Sequence, residues 1–121
     1  RIGAIEVFLS GPGLENYFEF ITKNYLSSKE IIALYRTKEK QAVSIMNVYF
    51  ERAARALSTV VNILDPDVIV CGGGMSEIDE IYNEIPKRII PYLASDFFHT
   101  PIVKALHGSS SGVRGAALLW D

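Results

Sequence analysis

The sequence predicts a helix-rich domain of the α/β class with a small sheet, and α+β is the alternative class. Three observations predict it. A long stretch with helical periodicity fills the middle of the chain, a short apolar β-branched run follows it at 67–71, and the whole chain shows only two or three strand-like segments. The length of 121 residues corresponds to about one domain.

The first third of the chain predicts one extended segment and two helices. The chain opens with an extended segment that ends in a Gly-Pro-Gly turn. Apolar residues at helical spacing then predict a helix over 14–26. Ser27 or Ser28, with Glu30 as a capping partner, predicts a second short helix over 27–37.

The strongest pattern runs from about Lys38 to Leu64. Apolar residues recur there every three or four positions, which predicts an amphipathic helix of about seven turns. Pro66 ends it, because a proline disfavours the helical conformation in the residue before it. The run 67–71 is apolar after its first residue, Asp67, which predicts a central parallel strand buried on both faces.

The C-terminal part predicts further helices around one strand. Ser76 with Asp79 resembles a capping box, and two prolines downstream predict two helices within 76–95. The segment 101–108 contains a second short strand. The segment 112–120 is predicted to be a closing helix whose small residues pack closely against a neighbour.

Composition and charge exclude some classes of partner and location. The net charge is −2, from 12 basic and 14 acidic residues without a basic cluster, which argues against nucleic acid as a partner. One cysteine cannot form an internal disulfide, and no segment approaches the roughly 18 apolar residues of a membrane span. We therefore expect a cytoplasmic protein. The start at Arg1 suggests a fragment of a longer chain.

Three consecutive glycines, Gly72, Gly73 and Gly74, follow the predicted central strand. A bare turn between a strand and a helix start is the general arrangement of phosphate sites. Both standard motifs are absent, because a Walker loop needs Gly-Lys-Ser/Thr and a dinucleotide fingerprint needs a glycine where Glu77 stands. A nucleotide site and a purely structural tight turn therefore both stay open.

Other chemistry-bearing residues give weaker indications. Glu6 lies in an apolar segment and could accept hydrogen bonds from ligand hydroxyls, although a surface glutamate is the commoner case. His99 and His107 have no metal-ligand spacing. Cys71 is expected to be a small buried residue. Arg114 could contact a phosphate, but a solvated or ion-paired arginine is commoner.

Taken together, the motifs resemble the ROK family, which includes bacterial sugar kinases and related repressors. GAIEVFLSGPG resembles the family's Gly-Cys-x-Glu segment followed by Ser-Gly-x-Gly. NILDPDVIVCGGGMS resembles its Asp-Pro and triple-glycine block, and HGSSSGVRGAALLW resembles the C-terminal stretch of fructokinase-like and N-acetylhexosamine-kinase-like members. These matches cover nearly the whole chain in the family's order.

The resemblance implies a partial actin-like, ribonuclease-H-like ATPase fold, with residues 1–121 as the C-terminal portion and the N-terminal domain absent. Glu6 matches the family's sugar-binding glutamate, and 72–74 match the loop that lines the ATP site. The family's catalytic aspartate lies upstream, so this chain offers no catalytic base. Ala4 stands where the family has a zinc-ligand cysteine, which makes zinc doubtful.

The resemblance therefore implies the C-terminal part of a kinase that transfers the γ-phosphoryl group of ATP, with Mg²⁺, to a hexose hydroxyl. The alternative is the sugar-sensing domain of a ROK repressor, whose nucleic-acid contacts would come from an N-terminal helix-turn-helix. A third hypothesis is a fragment that only packs or dimerises. We expect a homodimer without membrane contact, and no kinase activity from the isolated chain.

Overall fold

The computed structural model describes residues 3–106 and the backbone of 114–118, and it consists of a parallel sheet with helices packed on one face. The strands are β1 (Ala4–Leu9), β2 (Val68–Gly72), β3 (Ile102–Lys104) and β4 (Arg114–Leu118), and the α-helices are α1 (Pro12–Thr22), α2 (Ser28–Arg36), α3 (Lys40–Leu64) and α4 (Ile81–Ile89). Two short 3-10 helices, Gly74–Glu77 and Ile90–Tyr92, flank α4. The prediction of a helix-rich α/β domain with a small sheet is confirmed.

The sheet has the strand order β3-β2-β1-β4, and every neighbouring pair is parallel. The chain builds outwards from β1 to β3 and then crosses to the other side of β1. The order therefore reverses between β1 and β4, and such reversal points are where open α/β sheets bind ligands. In β1, Glu6 lies opposite Val70 of β2 and Gly115 of β4.

The two faces of the sheet differ in what they contact. Ile5, Val7 and Leu9 of β1 point into the core with Ile69 and Cys71 of β2. All four α-helices contribute buried side chains to that core, among them Leu14, Phe18, Ile31, Phe50, Leu57, Ile81 and Ile85. The opposite face carries the alternate residues of the same strands, and none of its described side chains belongs to the core cluster.

Several predicted elements are confirmed. The capping box at α2 is present, with the Ser27 side chain accepting from the Glu30 amide and the Glu30 carboxylate accepting from the Ser27 amide. Helix α3 spans 25 residues and ends at Leu64, and the following residue, Asp65, has a left-handed φ of 43° immediately before Pro66. The apolar run after it forms β2, which lies inside the sheet between β1 and β3.

Helix α1 begins and ends earlier than the predicted 14–26. It starts at Pro12, because proline fits the first helical position, where no intrahelical N–H is needed. It ends at Thr22, and Lys23 adopts a left-handed φ of 66°.

The predicted capping box at Ser76 and Asp79 is wrong. The glycine turn continues directly into the 3-10 helix Gly74–Glu77, so Ser76 lies inside a turn. Its hydroxyl donates to the Gly73 carbonyl at 2.6 Å and does not accept from a helix N-terminus. Helix α4 starts only at Ile81 and contains Pro86 without a break, whereas Pro91 lies in the following 3-10 helix.

The predicted closing helix over 112–120 is also wrong where it is described. Residues 114–118 form β4, paired with β1 in parallel register, while Gly112 and Trp120 lie outside the described residues. Glycine and alanine have only a weak intrinsic preference for helix or strand here, so tertiary contacts decide the conformation. The free edge of β1 supplies backbone hydrogen-bond partners for a strand. None of the described helices has the length and apolar character needed to cross a bilayer.

Candidate functional site

Glu6 is a buried carboxylate on the sheet face that points away from the core. Its side chain is only 1% exposed, and its Oε2 atom has no hydrogen-bond partner within residues 3–106. Burying a carboxylate oxygen without a partner is costly, and such rare groups in native proteins call for an explanation, such as a ligand, an ion or a water molecule. The expectation that Glu6 is available to ligand hydroxyls therefore gains a structural basis, whereas the surface interpretation does not hold.

Phe8 and Gly72 border the Glu6 carboxylate. Phe8 is two residues along β1 on the same face and is paired in register with Gly72 of β2. A Cβ placed on Gly72 would lie 3.4 Å from Phe8 Cδ1 and 3.6 Å from Glu6 Oε2. Sequence reasoning missed Phe8, although the alternation of side chains along a strand places it beside Glu6.

Gly73 has a structural role in the turn. Its φ is +89°, and a Cβ there would come within 2.5 Å of the Leu9 carbonyl oxygen at the end of β1. Only glycine fits this combination of left-handed backbone and close backbone approach. The tight-turn interpretation is therefore correct for this one residue of the three.

Gly74 is exposed and faces open space, because nothing lies within 4 Å of the position that a Cβ would take. It borders a cavity of about 230 Å³ between the glycine turn and α2. The cavity is lined by Ser28, Lys29, Ile32, Arg36, Gly74, Met75, Glu77 and Ile78. Bare backbone, apolar side chains and charged side chains of both signs therefore line it, and the Arg36 guanidinium donates two hydrogen bonds of 2.9 Å to the Glu80 carboxylate.

The Gly-Pro-Gly turn after β1 fixes one wall of that cavity. Glu15, in the first turn of α1, accepts from the amide and the hydroxyl of Ser28 at 2.7 and 2.9 Å. The Ser28 hydroxyl is also within 3.3 Å of the Gly11 carbonyl, and a Cβ on Gly11 would overlap that hydroxyl oxygen. These contacts hold the start of α2 against the end of β1.

Of the remaining candidates, His99 borders a cavity of about 190 Å³ near the C-terminal end of α3, which Glu6 and the glycines do not line. Cys71 is buried in the core as expected, and burial raises the pKa of its thiol to about 12. His99 is exposed against the Phe97 ring, with centroids 5.5 Å apart. His107 lies outside the described residues, and of Arg114 only the backbone position in β4 is described.

No group of three potential metal ligands occurs in the part of the chain that the structure describes. Ala4 is the first residue of β1 and stands on the same face as Glu6. A methyl side chain offers no ligand atom for a metal, so this position itself cannot hold zinc.

Comparison with known proteins identifies clear relatives. The family model described as "ROK family" matches residues 1–121. An N-acetyl-D-glucosamine kinase of Haemophilus influenzae is 39% identical over 116 residues, covering 96% of this chain and 38% of the relative. One from Photobacterium profundum is 42% identical over 117 residues, covering 97% of this chain and 39% of the relative. The chain thus spans well under half the length of these proteins.

Solved structures share the fold. A ROK hexokinase from Thermus thermophilus superposes with a TM-score of 0.71 at 20% identity, over 85% of this chain and 35% of that one. A ROK family glucokinase from Streptomyces griseus, solved with glucose and AMPPNP, gives a TM-score of 0.60 at 19% identity, over 77% of this chain and 32% of that one. The actin-like ATPase fold implied by the motifs is confirmed by these neighbours.

Proposed function

This chain belongs to the ROK family, and on that premise we propose that it is the C-terminal portion of an ATP-dependent sugar kinase. The reaction is transfer of the γ-phosphoryl group of ATP to a hexose hydroxyl. The observation that carries the proposal is the buried Glu6 carboxylate, whose Oε2 has no partner within 3–106. The kinases named among the relatives favour an N-acetylhexosamine over a fructose substrate.

Glu6 binds the sugar. An ionised carboxylate accepts hydrogen bonds from hydroxyls, and a charged acceptor in a site shielded from water forms stronger bonds than a neutral one. A sugar bound to Glu6 would lie against β1, on the sheet face opposite the described helices, and the position of Glu6 in the strand next to the reversal point supports this. The family's upstream aspartate takes the hydroxyl proton, so this chain orients the acceptor and does not deprotonate it.

The glycine turn meets the nucleotide. Gly72, Gly73 and Gly74 match the ATP loop of the family, and of the three, Gly74 offers exposed backbone next to the cavity with Lys29. A bare backbone lets a ligand approach closely, and a lysine favours a phosphate nearby. Mg²⁺ is held largely by phosphates and water in such sites, so it needs no cage of side chains from this chain.

The kinase is favoured over the repressor because the relatives reported above are kinases by name. Residues 1–121 correspond to less than half of those relatives, and we propose that the remaining part supplies the second wall of the cleft and the catalytic base. We also propose a homodimer. The hypothesis of a fragment that only packs or dimerises gives no role to the Glu6 Oε2 atom, which has no hydrogen-bond partner among the described residues.

The test is an ATP-dependent phosphorylation assay on the full-length protein with N-acetyl-D-glucosamine, N-acetyl-D-mannosamine, glucose and fructose. We expect turnover with at least one N-acetylhexosamine and none from residues 1–121 alone. Failure of the full-length protein to phosphorylate any of the four sugars would contradict the proposal. Activity of the isolated chain would contradict the assignment of the catalytic base to the upstream part.

A further inference from the structure

Gly72 differs from Gly73 and Gly74 because it belongs to the sheet and its open side lies on the face that carries Glu6. It is the last residue of β2, it is buried, and its register partner is Phe8. A Cβ on Gly72 would point to the side that carries Glu6, whereas Gly74 borders the cavity at α2. The three glycines therefore have different neighbours, and among them Gly74 is the one that borders the cavity at α2.

The Phe8 ring and the Glu6 carboxylate surround one point. Phe8 Cδ1 and Cε1 lie 3.4 and 3.5 Å from the Cβ position of Gly72, and Glu6 Oε2 lies 3.6 Å from the same position. The distances are those of ordinary contact, so a methyl group there would touch both the ring and the carboxylate. With only hydrogen at Gly72, no side chain occupies this point, which the ring and the acceptor oxygen both border.

The exposure of Phe8 is unusual for such a position. Its side chain is 42% exposed on a parallel sheet, whose faces are ordinarily both covered. A hydrogen-bond acceptor beside an apolar surface is also the composition of small-molecule sites, which are mostly apolar with a few placed polar groups. Sugars suit that pair, since their hydroxyls bind a carboxylate while their C–H faces lie against an aromatic ring.

We propose that Phe8 and Gly72 belong with Glu6 to the sugar site, with Phe8 as the apolar wall and Gly72 as the position that has no side chain beside both the ring and the buried carboxylate. This rests on the proposed function only in taking a sugar as the ligand of Glu6. It moves Gly72 from the nucleotide to the sugar. Phe8 and Gly72 are positioning residues, and neither transfers a proton or a phosphoryl group.

The experiment measures binding of N-acetyl-D-glucosamine by calorimetry, and separately the KM for sugar and for ATP, in the full-length protein. The variants are Phe8→Leu and Gly72→Ala. We expect each to raise the Kd and the KM for the sugar about fivefold to tenfold, with the KM for ATP within about twofold of wild type. Phe8→Tyr keeps the ring and should keep the wild-type sugar Kd.

The matched control is Val103→Ala. Val103 lies on the same sheet face, is similarly exposed, and sits in β3, on the far side of β2 from Glu6. It should leave the sugar Kd unchanged, and circular dichroism checks that each variant is folded.

The possible outcomes separate this inference from the kinase proposal. Unchanged sugar Kd in Phe8→Leu and Gly72→Ala, or a change confined to the KM for ATP, overturns the inference even if the wild type is an active kinase. Sugar binding that both variants weaken, in a wild type without turnover, supports the inference and contradicts the kinase. A wild type that binds none of the four sugars overturns both.

Discussion

At the scale of single residues, the turn after β2 depends on Gly73. The substitution Gly73→Ala forces a side chain into a backbone with φ of +89° and brings its Cβ within 2.5 Å of the Leu9 carbonyl oxygen. Because strain and overlap act together, we expect a loss of about 2 kcal/mol or more in the free energy of unfolding. Urea denaturation followed by circular dichroism measures it.

Gly74→Ala is the matched control for that prediction. The added Cβ meets no atom within 4 Å, and the backbone φ at Gly74 is not left-handed. We expect its free energy of unfolding to stay within about 0.5 kcal/mol of wild type. Equal destabilisation by the two substitutions would show that the glycine turn tolerates no side chain at all.

Cys71 provides a second test at this scale. Burial raises the pKa of its thiol to about 12, so the reactive thiolate is disfavoured in the folded chain. We expect no reaction with a disulfide reagent at pH 8 in the native state and full reaction in guanidinium. A thiol that reacts rapidly in buffer would place Cys71 outside the core.

The sign of the linked pH effect follows from the raised pKa. An unfolded thiol ionises near pH 8.5, whereas the folded one holds its proton to about 12. The contribution of Cys71 to stability is therefore present below about pH 8.5 and is lost progressively as the pH rises towards 12. Cys71→Ser lacks this ionisation, so its free energy of unfolding should fall less steeply with pH above about 8.5 than that of the wild type.

At the scale of elements, Arg88 joins α4 to α3. Its guanidinium donates to Glu84 at 3.0 Å, to Glu51 at 3.2 Å and to the Asn47 side chain at 2.9 Å. The Arg88 side chain is only 23% exposed, and its guanidinium lies over the Phe50 ring. Arg88→Met keeps the aliphatic packing but removes these hydrogen bonds, so we expect it to lower the free energy of unfolding by about 2 kcal/mol. Lys87→Met on the exposed side of α4 is the control, and it should cost less than about 0.5 kcal/mol.

The contact between Glu51 of α3 and Tyr92, in the 3-10 helix after α4, is expected to depend on pH. A hydrogen bond from the Tyr92 hydroxyl, assisted by Arg88, lowers the pKa of Glu51. A lowered pKa means that the stabilisation is present above the unfolded value of about 4.3 and is lost as the pH falls through the folded value. The stability difference between wild type and Arg88→Met should therefore narrow below about pH 4, and a constant difference would argue against the ion pair.

Elements with strong local signals could be predicted from the sequence, and those defined by distant pairing could not. Helix α3 repeats its apolar residues over seven turns, and the capping box of α2 is complete in four residues. Strand β4 contains Gly115, Ala116 and Ala117, whose intrinsic preference for a strand is weak. It forms a strand because it pairs with the edge of β1. The prediction that α4 starts at Ser76 failed for a related reason, because the Ser76 hydroxyl donates a hydrogen bond to the Gly73 carbonyl within the glycine turn.

At the scale of the whole molecule, the described helices pack on one face of the sheet, and the proposed sugar site lies on the other. Sequence motifs could indicate Glu6 and the glycines, because the chemistry of those residues is legible in isolation. Their arrangement could not be predicted, since it depends on the register that sets Gly72 opposite Phe8. The different surroundings of the three glycines are likewise a property of the fold, since Gly72 lies beside Phe8 and Glu6, Gly73 forms the turn, and Gly74 borders a cavity.

Glu6 is the central residue of the proposed sugar site, and the direct measurement is kcat/KM for N-acetyl-D-glucosamine in the full-length protein with Glu6→Gln. The amide keeps the size of the side chain and removes the charged acceptor, which contributes about 1.5–3 kcal/mol per hydrogen bond. We predict a fall in kcat/KM of about tenfold to a hundredfold, with the KM for ATP unchanged. A variant with wild-type kcat/KM for the sugar would contradict the assignment of Glu6 as the sugar-binding carboxylate.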